Sequence, residues 1–567
     1  VYVNQKNADV IRSAINFLLI TIDDAFDLQL LYVILKIYKI LKIHEQVIDE
    51  LLERAIRHVD YNTGIYAELA QLTDGFYRFY FFSAFNCVSA DTVEPVLCLK
   101  GVPVNKRAFV YNTFYLADNA EDEWGDALIY RGYVLECSES IDVFTRIRAF
   151  DGDINDCLAG IRRIHPFYVP QLVQLLRVER CFDAVARKIL ELVRNDDYLS
   201  MLVYFNVRAN FRGSERIGGL LEKICTNFKD TVRFVDDMTE ISLKMMKYRH
   251  LDRFDKKKML DELLNEVVIG RNVVLPLHGC RVLGILRNSS RVLQSHAKVP
   301  FMATFIVERN GVRTNADLIF KAGDDCRQDQ LALQLIQMFL NIFKESNLPI
   351  FVYPYTVIST DYECGLIEVI TDAISRDQMG REKINNLSEY FSLKFGFKEG
   401  TAYKKAHRRF ILSFVGYSLV TYFLNVKDRH NGNIMINGRG EMIHIDFGFM
   451  FDISPGGLNL EVPLKITQEI VELLDDHMDE YVSLMIQGFF ALRRRSKDIV
   501  LMAASFENSQ LPCFTENAID NLIARFKFHL SDAELKVYIR TMIYTSVRKF
   551  RTYIYDKFQA LTNDISF

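Results

Sequence analysis

The chain has 567 residues, half of them apolar, and 69 basic against 73 acidic residues give a formal net charge of −4. This length accommodates several domains or lobes, at roughly 100–200 residues per domain, and the near balance of charge excludes a global field that would recruit nucleic acid or a membrane. The ten cysteines lack CxxC spacing, which excludes a CxxC-type zinc or dithiol site and is typical of reduced thiols in a cytosolic protein.

The first 150 residues predict helices that we leave without a domain assignment. Their most apolar stretch, 15–41, is interrupted by Asp23, Asp24 and Asp27, so neither half reaches the roughly 20 apolar residues that a membrane span needs. We therefore predict neither a transmembrane helix nor a secretory signal. The chain starts with Val1 rather than Met, which indicates a trimmed or partial sequence.

Residues 151–267 also have a helical pattern. One helix is predicted by a set of apolar residues with a period of 3.6, namely Phe182, Val185, Ala186, Ile189 and Val193. Prolines and glycines are sparse in this part of the chain. The sequence predicts an all-α, solenoid-like module, although no fixed repeat period is present.

Residues 268–370 change to a mixed pattern. Short runs rich in aromatic and β-branched residues predict strands at 299–307, 316–323, 350–360 and 365–370. The run 331–343 between the second and third strands has the length and periodicity of a helix. We predict a small α+β lobe.

Residues 371–567 are again mostly helical, with one exception. The runs 434–436 and 442–445 flank Asn437 and Gly438, a pair that favours a hairpin turn. The motif DRHNGN at 428–433 lies just before this hairpin, and DFG at 446–448 lies just after it. Both ends of the hairpin therefore carry polar residues suited to chemistry.

These polar residues fit the transfer of a phosphoryl group. Asn433 and Asp446 offer an amide and a carboxylate oxygen, the hard ligands that magnesium prefers, and Asp428 and His430 are acid/base candidates. The intervals of five residues from Asp428 to Asn433 and of thirteen from Asn433 to Asp446 are those of kinase catalytic and DFG segments. The order DRH differs from the HRD of protein kinases.

This inverted order resembles the phosphatidylinositol 3- and 4-kinase superfamily. The segments 364–382, 426–436 and 444–457 are similar to the type III phosphatidylinositol 4-kinases, the alpha isoform in particular. The resemblance extends upstream to FYVPQLVQLLR and downstream to the closing NDISF. It covers roughly residues 150–567.

The resemblance implies an α+β fold, a two-lobed lipid-kinase domain preceded by an all-α module. The implied boundaries are an accessory helical domain at 151–267, an N-lobe at 268–370 and a C-lobe at 371–567. The implied activity is ATP- and Mg-dependent phosphorylation of phosphatidylinositol on the 4-hydroxyl, with Mn as a substitute metal. It further implies a cytoplasmic enzyme, peripherally bound to membranes, with membrane-anchored scaffold proteins as partners.

The resemblance also assigns roles to individual residues. It places Lys321 on the nucleotide phosphates, with Asp329 as its partner. In the loop after Val426 we favour His430 as the base, with Asp428 in support and Arg429 in the catalytic set. The remaining assignments are Ser289 and Ser290 in a phosphate-holding loop, the Glu368 carbonyl and the Ile370 amide on adenine, and Asn433 and Asp446 on the metal.

The segment after DFG bears on the acceptor. Between 449 and 466 Lys465 is the single cation, against Asp452 and Glu461, and a lipid headgroup that already carries phosphates would need a basic cluster. This favours an unphosphorylated inositol, whereas the choice of the 4- over the 3-hydroxyl rests on resemblance alone. A 3-kinase or related protein kinase is the alternative. A catalytically inactive scaffold is disfavoured because Lys321, Asn433 and Asp446 are present.

Near the C-terminus, apolar residues with helical spacing form a stripe that is flanked by basic residues. The apolar residues are Val547, Phe550, Ile554, Phe558 and Leu561. Such a helix suits a membrane interface. Packing of the same stripe on the chain's own C-lobe is the equal alternative.

Overall fold

The computed structural model describes residues 158, 161 and 164–548, with gaps at 213, 294–297, 310 and 455–462. The predicted helical region 1–150, and the part of the C-terminal stripe that follows 548, lie outside the described residues. The chain divides into two compact units. Among the described residues, the larger contains those from 158 to 493, Ser505–Asn521 and 532–548, and the smaller contains Arg494–Ala504 and Leu522–Ser531.

The structure is a mixture of helices and antiparallel sheet, as the sequence predicted. The α-helices of the described residues are α1 Val169–Gln174, α2 Phe182–Val193, α3 Asp197–Asn210, α4 Glu215–Ile224, α5 Lys229–Met245, α6 Arg253–Asn265, α7 Arg327–Glu345, α8 Arg376–Arg381, α9 Leu387–Phe395, α10 Thr401–Phe423, α11 Gln468–Leu474, α12 Met478–Arg494, α13 Ser496–Ala504, α14 Ala518–Arg525 and α15 Asp532–Arg548. Among the described residues, no helix is both long and apolar enough to cross a bilayer.

Helices α1 to α6 form an amphipathic helical module. In α2 the predicted apolar face is buried at Phe182, Val185, Ile189 and Val193, which confirms the period read from the sequence. Helix α3 begins where the Asp196 side chain accepts the Leu199 N–H at 2.9 Å, an N-cap that satisfies a backbone donor at the helix start. Ten of the residues of α3 are buried, so it lies at the centre of the packing.

An antiparallel sheet of seven strands follows in the chain. Its strands are β1 Val274–Leu275, β2 Cys280–Ile285, β3 Arg291–Val292, β4 Phe301–Arg309, β5 Val312–Ala322, β6 Val357–Asp361 and β7 Cys364–Glu368, in the order β1-β2-β4-β5-β7-β6, with β3 paired to β4. Helix α7 connects β5 to β6 and is buried along most of its length. The four predicted strands and the predicted helix are all present.

The third predicted strand is shorter than the sequence suggested, because residues 350–356 form no part of the sheet. Their backbone is instead bound by α10: the Tyr417 hydroxyl bonds to both the N–H and the carbonyl of Tyr353, each at 3.1 Å. The Phe351 N–H donates to the Leu412 carbonyl at 3.3 Å. These contacts satisfy the backbone groups that strand pairing would have used.

A small second sheet consists of β8 Ala373–Ser375, β9 Ile434–Asn437 and β10 Met442–His444, in the order β10-β9-β8. The predicted hairpin is therefore present, but its turn differs from a simple Asn-Gly turn. The Asn437 side chain accepts the N–H groups of Arg439 and Glu441, both at 3.0 Å, and the positive φ of +87° falls on Gly440. Asn437 shapes the turn through its side chain.

Candidate active site

The β9–β10 hairpin brings the two sequence motifs together. Ile434 lies opposite His444 in the pairing, and the Ile445 N–H donates to the Asn433 carbonyl at 3.1 Å. Asn433 and Asp446, the two predicted metal ligands, therefore lie at the same end of the hairpin. Their nearness in space follows from strand register, although thirteen residues separate them in the chain.

Arg429 joins the loop before the hairpin to the segment after it. The side chain is 3% exposed, and its Nε donates to the Lys427 carbonyl at 3.0 Å. Nη1 donates to the Ile445 carbonyl at 2.8 Å, Nη2 donates to the Asp446 carbonyl, and the guanidinium lies 5.5 Å from the centroid of the Phe447 ring. We expected Arg429 in the catalytic set. The donors described above bind backbone carbonyls, which suits a positioning role, and membership of the catalytic set stays a prediction.

The first turn of α7 holds the backbone of Phe447 from both sides. Asp329 Oδ1 accepts the Phe447 N–H at 2.7 Å, and Gln328 Nε2 donates to the Phe447 carbonyl at 2.9 Å. Asp329 and Gln328 are 7% and 4% exposed, so water competes little for these bonds. The DFG segment is thereby fixed to a helix of the sheet lobe as well as to the loop that carries Arg429.

Lys321 lies on β5, opposite Gly365 of β7, and directs its ammonium toward several carboxylates. Its Nζ is 3.2 Å from Asp324 Oδ2, so the close ion pair belongs to Asp324 and not to the expected Asp329. Burial alone would lower the pKa of Lys321, but attraction by Asp329, Asp446 and Asp324 outweighs burial and raises it. The ammonium stays charged, as a phosphate contact requires.

Asp329 contributes negative charge at a buried position. Burial raises its pKa to about 6, attraction by Lys321 opposes that rise, and repulsion by Asp446 adds to it. Three carboxylates, those of Asp324, Asp329 and Asp446, thus act on a single ammonium.

The donor set at the hairpin end fits magnesium. Asn433 Nδ2 donates to the Asp428 carbonyl at 2.9 Å, which leaves its amide oxygen to act as a ligand, and the Asp446 carboxylate is exposed. Mg²⁺ is usually held by one or two protein ligands together with substrate phosphates and water. No cluster of three or more His, Cys, Asp and Glu side chains suited to a metal occurs among the described residues. The remaining ligands would therefore be phosphates and water.

The hydrogen bonds of His430 fix its tautomer. Its Nδ1 accepts the Gly432 N–H at 3.0 Å, so the ring proton of the neutral form is on Nε2. Burial lowers the pKa of His430, while attraction by Asp428 raises it in part and Lys465 lowers it further. Nε2 lies 3.9 Å from Asp428 Oδ2, too far for a direct hydrogen bond. The neutral imidazole of His430 therefore presents a hydrogen-bond donor at Nε2, and its acceptor nitrogen, Nδ1, is already bound to the Gly432 N–H.

The two serines predicted to hold phosphate differ in their surroundings. Ser290 is 2% exposed, and its hydroxyl donates to the Asp261 carboxylate on α6. Ser289 donates to the Leu286 carbonyl at 2.7 Å and stays near the surface. The Ser290 hydroxyl is thus already used within the protein. Any phosphate contact from this loop would come from Ser289 or from backbone amides.

Glu368 and Ile370 lie at and just beyond the end of β7, both half-buried. The Glu368 N–H donates to the Thr356 carbonyl at 2.9 Å, and its carboxylate accepts the Thr356 N–H at 2.7 Å. These bonds fix the chain where the sheet lobe passes into the helical lobe. The adenine contacts expected of the Glu368 carbonyl and the Ile370 amide remain predictions.

Sequence reasoning missed two residues at this site. Gln328, beside the predicted Asp329, holds the Phe447 carbonyl, and Lys298 packs over Gly323. A Cβ at Gly323 would lie 2.8 Å from Lys298 Nζ, which places a second cation two residues along from Lys321. Nothing in the local pattern marked Gln328, whereas Lys298 lies three residues before the start of β4 and could have been found as a loop cation near a strand.

An antiparallel sheet that carries the half-buried Lys321, joined to a helical lobe whose hairpin is followed by Asp446, is the arrangement of the two-lobed kinase fold. Residues 315–516 match the family model described as phosphatidylinositol 3- and 4-kinase. The chain belongs to this family.

Similar proteins carry names from the same family. The chain is 39% identical to "Probable phosphatidylinositol 4-kinase STT4 homolog" of Encephalitozoon cuniculi, over 100% of the chain and 43% of that protein. It is 37% identical to phosphatidylinositol 4-kinase STT4 of Saccharomyces cerevisiae, over 71% of the chain and 23% of the relative. Phosphatidylinositol 4-kinase alpha 1 of Arabidopsis thaliana is 31% identical over 70% of the chain and 21% of its own length. The chain thus spans less than half the length of these relatives.

Proposed function

We propose that the chain transfers the γ-phosphoryl group of ATP to the 4-hydroxyl of phosphatidylinositol, giving phosphatidylinositol 4-phosphate. The proposal of phosphoryl transfer rests on two hydrogen bonds from α7 to the backbone of Phe447, one through Asp329 and one through Gln328. These bonds keep Asp446 near Lys321. The relatives named as phosphatidylinositol 4-kinases support the lipid part. The observed positions of Asn433 and Asp446 agree with a magnesium-bound nucleotide.

The proposed roles follow from the geometry of each side chain. Lys321 binds the nucleotide phosphates, and Asn433 and Asp446 hold Mg²⁺, which neutralises developing charge on the phosphates when it is bound. Asp428 accepts the proton of the attacking hydroxyl. His430 donates from Nε2 toward the transferred group, because its Nδ1 is bound to Gly432. This reverses the order of base candidates that the sequence favoured.

The charge around the catalytic loop supports an acceptor with little phosphate. Lys465 is close enough to lower the pKa of His430, and it is the single cation between 449 and 466. Asp452 is bound to Thr515 and to Asn521, the latter at 3.0 Å. One lysine can match the phosphodiester of phosphatidylinositol, whereas a bisphosphate headgroup would call for more cations.

The remaining proposals concern organisation and location. We assign residues 151–267 to an accessory helical domain, 268–370 to the N-lobe and 371–567 to the C-lobe. The substrate implies a cytoplasmic enzyme that binds membranes peripherally. Membrane-anchored scaffold proteins are proposed as partners, by analogy with the family.

The test is transfer from labelled ATP to phosphatidylinositol in detergent micelles, followed by separation of the isomeric products. We expect phosphatidylinositol 4-phosphate from the unaltered chain and none from Asp446→Asn, which removes the charge but keeps a residue that tolerates the positive φ of 60°. Asp372→Asn is the matched control, because Asp372 also has a positive φ, of 51°, and is bound to Lys394.

A 3-phosphate product would overturn the 4-kinase proposal, and phosphorylation of protein substrates alone would favour the protein-kinase alternative. Undiminished transfer by Asp446→Asn would remove Asp446 from the metal site. Thermal unfolding of each variant separates loss of function from loss of the fold.

A further inference from the structure

Two large apolar side chains are strongly exposed at the C-terminal end of α9. Leu393 is 68% exposed and Phe397 is 87% exposed. Helix α9 ends at Gly396, whose φ of +85° turns the chain sharply outward. Single exposed apolar residues are common, but a leucine and a phenylalanine four residues apart beside one turn form a local apolar surface.

The same part of the chain is strongly basic. Residues 381–409 contain eight Lys or Arg and three Glu, but Arg381, Lys394 and Arg408 are paired with the carboxylates of Asp377, Asp372 and Glu480, which lie outside this range. Lys404 and Lys405 begin α10 and are exposed, and within the described part of the chain neither has an ion-pair partner. The charges of Lys404 and Lys405 are therefore available for an external anion.

A short turn places the phenylalanine next to the lysines. The Gly400 N–H donates to the Phe397 carbonyl at 2.8 Å, and the Lys404 N–H donates to the Gly400 carbonyl at 3.0 Å. A Cβ at position 400 would lie 3.0 Å from the Phe397 carbonyl oxygen, so glycine permits the tight turn. We call Leu393, Phe397, Lys404 and Lys405 the α9–α10 surface.

Helix α9, which carries part of the α9–α10 surface, contacts α11. Helix α11 follows the segment that begins after DFG. The Leu387 N–H, at the start of α9, donates to Glu469 Oε2 at 3.0 Å, and Arg376 Nε lies 3.0 Å from the same oxygen. Glu469 is in the first turn of α11, which follows that segment. The start of α9 is thus bound to α11, the helix that follows this segment.

We propose that the α9–α10 surface docks on an anionic lipid bilayer. Leu393 and Phe397 enter the interface, and Lys404 and Lys405 lie on the acidic headgroups, an arrangement typical of interfacial binding. Charge complementarity favours a bilayer as the occupant. The choice rests on the proposed function, because a lipid substrate brings the chain to a membrane, and it is independent of the C-terminal stripe.

The test is cosedimentation of the whole chain with vesicles of phosphatidylcholine, with and without phosphatidylserine, all lacking phosphatidylinositol. We expect binding that needs phosphatidylserine and weakens with salt. The double variants Leu393→Ser with Phe397→Ser, and Lys404→Glu with Lys405→Glu, should each weaken partitioning by about tenfold or more. Phe254→Ser is the matched control, since Phe254 on α6 is 78% exposed.

Three outcomes would overturn the proposal: equal binding to both kinds of vesicle or to neither, equal loss in Phe254→Ser, or unchanged binding in both double variants. Transfer to phosphatidylinositol in detergent micelles should stay unchanged in the double variants. Failure of the proposed function would appear as absent transfer in micelles by the unaltered chain, while the vesicle result would still decide the α9–α10 surface.

Discussion

Asp428 and Asp446 both have a φ of +60°, in the left-handed region that most residues avoid. Aspartate tolerates this region better than most, yet such positions cost about 1–3 kcal/mol each and persist where surrounding bonds impose them. Here the imposing bonds are those of Arg429 to the neighbouring carbonyls and of Asn433 to the Asp428 carbonyl. The backbone strain therefore lies at the two carboxylates to which we assign proton and metal roles.

The tautomer of His430 leads to a prediction about paired variants. The amide of glutamine can place an N–H donor near the position of the histidine Nε2. The shorter side chain of asparagine can place its amide oxygen near the position of Nδ1 but does not reach that of Nε2. We expect His430→Gln to stay within about tenfold of the unaltered kcat and His430→Asn to lose about 10²-fold, because the donor acts on developing charge. Asp428→Asn should lose about 10²–10⁴-fold, the range of a general base.

The measurement is kcat for each variant at saturating ATP, with unfolding temperature as the control for the fold. If His430 were the base, neither amide could replace it, and the Gln and Asn variants would lose the same activity. That result, combined with a mild effect of Asp428→Asn, would restore His430 as the proton acceptor.

At the scale of elements, α7 has polar contacts on two sides. One side binds the backbone of Phe447. On the other side, three side chains of α7 at successive turns form hydrogen bonds to the helical module. These hydrogen bonds run from Arg327 Nη1 to Asn210 Oδ1 at 3.3 Å, from Gln330 Nε2 to Asn206 Oδ1 at 3.4 Å and from Gln171 Nε2 to Gln334 Oε1 at 2.9 Å. We infer that the module fixes the start of α7 and, through it, the DFG segment.

Asn210 is the residue to change in this contact. Its Oδ1 also accepts from Gln174 at 2.9 Å and from Arg177 at 3.4 Å, so Asn210→Leu leaves several buried donors unpaired. We expect a loss of about 2–3 kcal/mol in the free energy of unfolding, from the cost of unsatisfied buried groups. We also expect a lower kcat with little change in the KM for ATP, measured together with urea unfolding.

Asn341→Leu, on α7, is the matched control for Asn210→Leu, on α3. Asn341 accepts one bond from Gln337 at 3.0 Å, and its own Nδ2 is buried without a partner. Its replacement should leave stability and kcat nearly unchanged. A kcat unaffected in Asn210→Leu, with stability reduced, would show that the contact holds the fold but does not position the DFG segment.

At the scale of the whole molecule, local patterns predicted the elements and the motif residues. Periodicity identified α2 and α7, short runs rich in aromatic and β-branched residues identified β4, β5 and β7, and the spacing of Asp428, Asn433 and Asp446 located the site at the hairpin. These features can be predicted from the sequence because each depends on residues that are a few positions apart.

Contacts between distant residues could not be predicted in this way. Arg327 and Asn210 are 117 residues apart, and Gln328 and Phe447 are 119 apart, so no periodicity connects them. Two of the carbonyls that bind Arg429, those of Ile445 and Asp446, lie beyond the hairpin and were likewise not indicated by any local pattern. Residues 350–356 have the composition of a strand, but their backbone is bound by Tyr417 of α10 and not by a neighbouring strand.

The larger unit contains both Lys321 and the two proposed metal ligands, Asn433 and Asp446, so nucleotide should stabilise it as a whole. A non-hydrolysable ATP analogue with Mg²⁺ at about 100 times its Kd should add about 2.7 kcal/mol to the free energy of unfolding. Lys321→Met and Asp446→Asn should each reduce that gain, measured against the same variant without ligand, because each removes one side of the phosphate site. Lys394→Met, whose lysine is bound to Asp372, should keep the full shift. A full shift in both site variants would place the nucleotide elsewhere.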